Sequence, residues 1–118
     1  MPKILLLEDD ATMLSLLTKL LEMEGFQILY PSKLADDDIF ETIIKTQPDL
    51  ILTDVLMKEV NGLELVSKLP ANRPYRILMT SGLNIETECL KAGVDGFILK
   101  PYFPEDLIRR IRELTAGN

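Results

Sequence analysis

Three carboxylates and one lysine stand at the ends of apolar segments spread along the chain. Glu8 and Asp9 follow the first segment, Asp54 ends a second, and Lys100 ends the last. Clustered carboxylates can hold a hard divalent cation, and one of them can act as a nucleophile towards phosphorus. A nearby lysine can stabilise the negative charge on a transferred phosphoryl group. These residue types therefore indicate magnesium-dependent phosphoryl chemistry, provided that the fold brings them together.

The composition excludes several other kinds of site. The chain has 118 residues, a net charge of -6, no histidine and one cysteine, Cys89. Ser-His-Asp and Cys-His nucleophile pairs and histidine-ligated zinc are therefore excluded. A nucleic-acid-binding surface would need a basic patch, and a membrane span would need a longer apolar run. We expect a cytoplasmic protein, because a lone cysteine fits a reducing compartment, with no binding to nucleic acid or membrane.

Short apolar segments alternate five times with stretches in which apolar residues recur at helical spacing. Continuous apolar segments are typical of strands that are buried on both faces of a parallel sheet. The pattern predicts an α/β fold, a doubly wound five-stranded parallel sheet of order 2-1-3-4-5 with five helices in a flavodoxin-like three-layer sandwich. In that order the polar residues at the strand ends converge on one crevice; they are Glu8, Asp9, Asp54, Ser81 and Lys100.

Local signals place the limits of individual elements. The first helix is predicted from Ala11 to Met23, with Asp10 as its N-cap and Gly25 beyond its end. The residues expected to form its buried stripe are Met13, Leu14, Leu17, Leu20 and Leu21. The second strand is predicted over residues 26–30, and residues 115–118 are expected to be a frayed tail or the start of a linker.

The residues at the crevice suggest separate roles. Asp54 stands alone at its strand end, so we expect it to be the nucleophile. Glu8 and Asp9 would hold Mg²⁺, with Mn²⁺ as a substitute, because oxygen ligands without histidine favour hard ions. Lys100 would pair with the phosphoryl charge.

The fourth predicted strand ends with two hydroxyl residues, Thr80 and Ser81. Ser81 is the expected hydrogen-bond donor to a phosphoryl oxygen, and Thr80 competes for that role. Since successive side chains of a strand point to opposite faces, only one of them can face the crevice.

Five sequence stretches occur together in a specific order and spacing. They are Ile4–Asp10, Pro48–Asp54 with Met57 and Gly62, Ile77–Gly82, Ala92–Gly93 and Phe97–Pro101. Taken together they resemble the response-regulator receiver domain, the CheY-like phosphoacceptor of two-component signalling. The resemblance covers the whole chain. It implies that residues 1–118 form a single receiver domain, with no output domain in this chain.

The resemblance implies a signalling switch rather than an enzyme, one that assists only its own phosphorylation and dephosphorylation. Asp54 would accept a phosphoryl group from a sensor histidine kinase or a histidine phosphotransfer protein. The modified domain would then bind a downstream effector differently, and homodimerisation stays open.

The resemblance also implies roles for individual residues of the crevice. Mg²⁺ would bind Asp9, Asp54 and the main-chain carbonyl of Leu56, with Glu8 acting through water. The phosphoryl-binding and switch residues would be Lys100, Ser81 and Phe97, and a cis peptide bond would precede Pro101.

Several positions depart from the usual pattern of the family. Lys58 replaces the proline that usually follows Met57, and Phe103 replaces a polar capping residue. The stretch from 81 to 93 is about one helical turn short. Leu56 and Leu83 are apolar where the family controls attack by water, so we expect slow loss of the phosphoryl group.

Two alternative functions stay open at this point. Glu8, Asp10 and Thr12 partly match the D-x-D-x-T motif of haloacid-dehalogenase-like enzymes, which suggests a magnesium-dependent phosphatase. The chain could also be a receiver-like interaction module that never accepts phosphate, although such a module has no need of the acidic cluster.

Overall fold

The computed structural model describes residues 1–116 of the chain. Within them, five strands alternate with five helices, as the sequence predicts. The strands are β1 Lys3–Leu7, β2 Gln27–Leu29, β3 Leu50–Asp54, β4 Arg76–Ser81 and β5 Gly96–Leu99. The helices are α1 Ala11–Met23, α2 Asp36–Thr46, α3 Gly62–Ser67, α4 Glu86–Lys91 and α5 Pro104–Thr115.

All four strand pairings are parallel, and the order in the sheet is β2-β1-β3-β4-β5. This confirms the predicted doubly wound α/β fold. The direction in which successive strands are added to the sheet reverses between β1 and β3. The carboxyl ends of β1, β3 and β4 therefore lie side by side, with β3 in the middle. In the register of the sheet, Asp54 lies opposite Thr80, and Ser81 lies opposite Leu99. The polar residues that end the strands are thereby gathered at one edge.

Two apolar cores cover the two faces of the sheet. On one face Leu5, Ile51 and Ile77 contribute to the core with α2, α3 and α4. On the other face Leu50 and Leu78 contribute to the core with α1 and α5. Neighbouring residues of the central strands enter opposite cores, which is why these strands are apolar at nearly every position.

The predicted caps of α1 are confirmed. The Asp10 carboxylate accepts a hydrogen bond from the Met13 N–H, and Gly25 adopts φ 93° just beyond the helix end. The prediction that Met13 is a core residue was wrong, because its side chain is 37% exposed. The buried side of α1 is centred on Leu17 and Leu21, and each step along a helix rotates a side chain by about 100°. Met13 therefore lies at the margin of that side.

Two predicted boundaries also change. The predicted tail was wrong at Thr115, which ends α5, is buried and donates a hydrogen bond from its hydroxyl to the Ile111 carbonyl at 2.8 Å. Residues 117–118 lie outside the described part of the chain. The second strand is shorter than predicted, because only residues 27–29 pair with β1 and Phe26 packs into the core instead.

Candidate functional site

Asp54 and Lys100 form an ion pair at the carboxyl edge of the sheet. Asp54 is the last residue of β3, and Lys100 directly follows β5. The Lys100 ammonium donates to Asp54 Oδ2 at 2.8 Å, and the Val55 N–H donates to Oδ1 at 2.9 Å. Both side chains are only partly exposed. The carboxylate is therefore held at the mouth of the crevice with one side towards the lysine.

The turn after Asp54 depends on Gly62. Its N–H donates to the Val55 carbonyl at 2.6 Å, which folds the start of α3 back against the end of β3. A Cβ atom at this position would lie 2.5 Å from the Asp54 carbonyl oxygen. Only glycine permits this close approach of the two backbones.

Glu8 and Asp9 follow β1 on the other side of the crevice. Glu8 accepts a hydrogen bond from the Asp10 N–H at 3.3 Å. Asp9 Oδ2 accepts one from the Lys58 N–H at 2.7 Å. The main-chain N–H of Lys58 thereby links the loop after β3 to the acidic end of β1. Every residue except proline has this N–H group. A proline there could not make this bond.

The charges at the edge shift two pKa values. Burial raises the pKa of Glu8, and the charges of Asp54 and Asp9 add to this, against the opposing effects of the Asp10 N–H and Lys100. Burial would lower the pKa of Lys100, but its hydrogen bond to Asp54 and the charges of Asp54 and Glu8 raise it overall. The lysine is thus held as a cation in a site with surplus negative charge.

The two hydroxyl residues at the end of β4 occupy different places. The Ser81 hydroxyl accepts a hydrogen bond from the Leu83 N–H at 3.0 Å, and the Ser81 carbonyl accepts one from the Lys100 N–H at 2.8 Å. Thr80 lines a cavity of about 10 Å³ together with Asp54 and Lys100. That volume is about the minimum for one water molecule.

The remaining predicted residues are Phe97, Pro101 and Leu56. Phe97 is buried in the core on the α2, α3 and α4 face. The peptide bond between Lys100 and Pro101 is cis. The Leu56 side chain is 61% exposed. Leu56 and Asn61 form a short antiparallel bridge. Its hydrogen bonds join the Met57 N–H to the Val60 carbonyl and the Gly62 N–H to the Val55 carbonyl. Neither bond uses the Leu56 carbonyl.

The ligand types available at the crevice suit Mg²⁺. Within residues 1–116, no three acidic, histidine or cysteine side chains are grouped so that they could hold a metal ion by themselves. Magnesium needs only one or two carboxylates and keeps several waters. Asp9 and Asp54 can supply the carboxylates and Leu56 a carbonyl. Burial is the main cause of the raised pKa of Glu8, and the charges of Asp54 and Asp9, which a divalent cation would neutralise, add to it.

Tyr102 is a site residue that the sequence analysis missed. It lines the small cavity beside Asp54 and Lys100, and it also lines an apolar groove of about 450 Å³ on the outer side of α1. The other groove residues are Met13, Leu16, Leu17, Leu20, Lys100, Pro101 and Pro104. The only available signal was its position two residues after Lys100, which does not reveal the direction of its side chain.

Comparison with known proteins identifies the family. The model of the response regulator receiver domain matches residues 4–112. The chain belongs to this family. Its domains are phosphorylation-dependent switches of two-component signalling, so the chain is a signalling phosphoacceptor rather than a classical enzyme. Receiver domains typically bind Mg²⁺, and a two-component receiver implies a histidine kinase partner.

A curated relative and two solved structures illustrate the similarity. The transcriptional regulatory protein CpxR of Klebsiella pneumoniae is 32% identical over 117 residues, which cover 97% of this chain and 49% of CpxR. The N-terminal domain of the nisin resistance regulator NsrR is 31% identical, with a TM-score of 0.85 and 97% of each chain covered. The BeF3-activated receiver domain of Klebsiella pneumoniae RstA supports the fold. It is 24% identical, with a TM-score of 0.87, and the match covers 98% of this chain and 99% of that domain.

The chain spans about half the length of the curated relatives it matches. Within the described residues, no helix is long and apolar enough to cross a membrane. Membership of the receiver family also removes the basis for the phosphatase alternative. Of its three motif residues, Asp10 serves as the N-cap of α1.

Proposed function

We propose that Asp54 is the residue that accepts the phosphoryl group, and that its donor is a phosphohistidine on a sensor histidine kinase or a phosphotransfer protein. The observation that carries this proposal is the 2.8 Å pair between Asp54 and Lys100 at the mouth of the crevice. No other carboxylate within residues 1–116 is paired with Lys100. Asp54 thus combines a nucleophilic oxygen with an adjacent cation for the incoming charge.

The transfer is a displacement at phosphorus. A carboxylate oxygen of Asp54 forms the new bond as the phosphorus–nitrogen bond of the phosphohistidine breaks, and the electron pair stays on the imidazole, which takes a proton from solvent. The product is an acyl phosphate on Asp54. The Lys100 ammonium moves from the carboxylate oxygen to a phosphoryl oxygen and stabilises the negative charge there.

Asp9, Asp54 and the Leu56 carbonyl would hold Mg²⁺, with Glu8 acting through a bound water. When bound, the ion would neutralise charge on the phosphoryl oxygens. The chain itself keeps these ligands in place, since the Lys58 N–H orients Asp9 and Gly62 allows the turn after Asp54.

The Ser81 hydroxyl would carry the signal away from the site. It accepts a hydrogen bond from Leu83 N–H, so its own proton is available to a phosphoryl oxygen. Donation to that oxygen would draw the loop after β4 towards Asp54 and change the surface formed by that loop and α4. The buried Phe97 next to β4 would repack with it. A downstream effector would distinguish the two states of this surface.

The apolar groove supports a protein donor. It opens beside Lys100 and exposes Met13 and Leu16 of α1 to solvent. An amphipathic helix that carries a phosphohistidine could place apolar side chains there while its imidazole faces Asp54.

Incubation with acetyl phosphate and Mg²⁺, followed by intact mass measurement, tests the assignment. We expect a single base-labile phosphoryl adduct that is absent in Asp54→Asn and in samples with EDTA. Asp95→Asn provides a matched control, because Asp95 lies at the opposite edge of the sheet and pairs with Arg73. An adduct that persists in Asp54→Asn, or no adduct on the wild-type chain, would contradict the proposal. The second outcome would favour an interaction module that accepts no phosphate.

A further inference from the structure

Tyr102 separates the apolar groove from the phosphoacceptor pair. Three residues line both the groove and the small cavity, namely Leu17, Lys100 and Tyr102. Leu17 is an aliphatic core residue, and Lys100 carries the ammonium that pairs with Asp54. Tyr102 alone in this shared wall combines a large apolar ring with an uncharged polar tip. It packs with the core beneath α1 and α5.

The polar tip of Tyr102 lies in the electric field of the site. Burial raises the pKa of its phenol; Lys100 lowers it, and Glu8 and Asp54 raise it further. The phenol therefore keeps its proton at neutral pH. Among the hydrogen bonds between residues 1–116, none involves the Tyr102 hydroxyl, and the Lys100 ammonium donates only to Asp54. Any effect of Tyr102 on Lys100 must therefore come from its ring.

A lysine side chain has four rotatable bonds, and it must be held if its ammonium is to meet a phosphoryl group reliably. On the groove side, the Lys100 stem is bordered by the Tyr102 ring, since both residues line that wall. Removal of the ring would open a path for the ammonium towards the groove and away from Asp54.

We propose that Tyr102 is a positioning residue for Lys100: its ring, in the wall that the two residues share, confines the lysine stem to the Asp54 side. This inference rests on the proposed function, because it assigns Tyr102 a part in phosphorylation of Asp54. It also ties the docking groove to the reacting pair through one shared side chain.

A double-mutant cycle tests whether Tyr102 acts through Lys100. The rate of adduct formation with acetyl phosphate and Mg²⁺ is measured for Tyr102→Phe and Tyr102→Ala, each in the wild-type and the Lys100→Ala backgrounds. We expect Tyr102→Ala to slow the reaction about two- to tenfold, a typical coupling for neighbouring residues. Tyr102→Phe, which keeps the ring, should react at nearly the wild-type rate. The loss in Tyr102→Ala should disappear when Lys100 is alanine.

Equal fold-losses of Tyr102→Ala in both backgrounds, no loss in Tyr102→Ala, or an equal loss in Tyr102→Phe would overturn the proposal. Tyr75→Phe is the matched control, since Tyr75 is buried in the core on the opposite face of the sheet, and its rate should equal that of the wild type. If Lys100→Ala forms too little adduct to measure, the same cycle is run on urea unfolding midpoints, where additive shifts overturn the proposal. Absence of adduct on the wild-type chain would count against the proposed function, and the unfolding cycle would still decide the role of Tyr102.

Discussion

Surplus negative charge governs the behaviour of single side chains at the crevice. Lys100 is the one ammonium paired with Asp54 in the described residues, whereas Glu8 and Asp9 contribute further negative charge. Burial raises the pKa of Glu8, and the charges of Asp54 and Asp9 add to this effect. Burial alone would lower the pKa of Lys100, but its hydrogen bond to Asp54 and the charges of Asp54 and Glu8 raise it overall. Ligands that bring positive charge should therefore stabilise the fold, and so should removal of an acid.

We predict that Glu8→Gln raises the free energy of unfolding at pH 7 in buffer with EDTA. The folded state raises the pKa of Glu8, so the stability that its protonated form contributes is present below the unfolded pKa and is lost as the pH rises through the folded pKa. The gain should therefore be larger at pH 7 than at pH 4, as measured by thermal unfolding. Glu22→Gln, an exposed site on α1, serves as the control. A gain confined to pH 4 would refute this view of the charge balance.

A second prediction concerns the two exposed leucines beside the site. Leu56 is 61% and Leu83 59% exposed, and neither can hydrogen-bond an attacking water through its side chain. We expect a phosphoryl lifetime well beyond seconds at neutral pH, and a shorter lifetime in Leu56→Asn and Leu83→Glu. The measurement follows the decay of the adduct by intact mass after the donor is removed. A wild-type lifetime of seconds would show the expectation to be wrong.

At the scale of elements, the helices next to the site differ in how they begin. Asp10 caps α1 through its carboxylate, which satisfies the Met13 N–H. Phe103 occupies the same position in α5, makes no side-chain cap and is 71% exposed. Pro104 compensates in part, because its ring presets the first helical φ angle. The start of α5, just beyond Lys100 and Pro101, thus lacks a stabilising contact that α1 has.

Substitutions at the two caps should have opposite effects. Phe103→Ser should stabilise the chain by up to ~1 kcal/mol, and Asp10→Ala should destabilise it by about 0.5–2 kcal/mol. Serine is chosen because an added carboxylate would also interact with the helix dipole. Urea unfolding measures both effects. Destabilisation by Phe103→Ser would mean that contacts of the Phe103 ring stabilise the fold more than a serine cap does.

At the scale of the whole molecule, one sheet supports both cores. The central strands send alternate side chains to each face, so loss of packing on one face removes support from the strands that bear the site. Leu78 is fully buried on the α1 and α5 face, and Met79, the next residue, is fully buried on the other. The two layers are therefore expected to unfold together.

We predict that Leu78→Ala and Met79→Ala each lower the free energy of unfolding by about 2–5 kcal/mol. Both variants should retain a single unfolding transition, with the same midpoint by circular dichroism and by tyrosine fluorescence. The exposed Leu16→Ala is the control for loss of a methyl-rich side chain at the surface. Separate transitions for the two faces would contradict a shared sheet.

Much of the fold, and the meeting of Asp54 and Lys100 at one edge of the sheet, could be predicted from the sequence, because the relevant signals are local. Apolar segments of strand length, the cap at Asp10 and the glycine at 25 each act within a few residues. Once a parallel sheet of order 2-1-3-4-5 is inferred, chain direction places Asp54 and Lys100 at the same edge. Their pairing follows from opposite charge.

Other features were decided only by tertiary packing, because they depend on the directions of side chains from distant segments. The sequence by itself determined which acids and which lysine meet at the sheet edge. It did not determine that Met13 lies at the margin of the α1 core, or that Asp9 is held by the Lys58 N–H 49 positions away. Nor did it reveal that Tyr102 lines both the apolar groove and the small cavity beside Asp54 and Lys100. A repeat of apolar residues specifies a face, whereas the neighbours of a side chain are fixed only when the whole chain has packed.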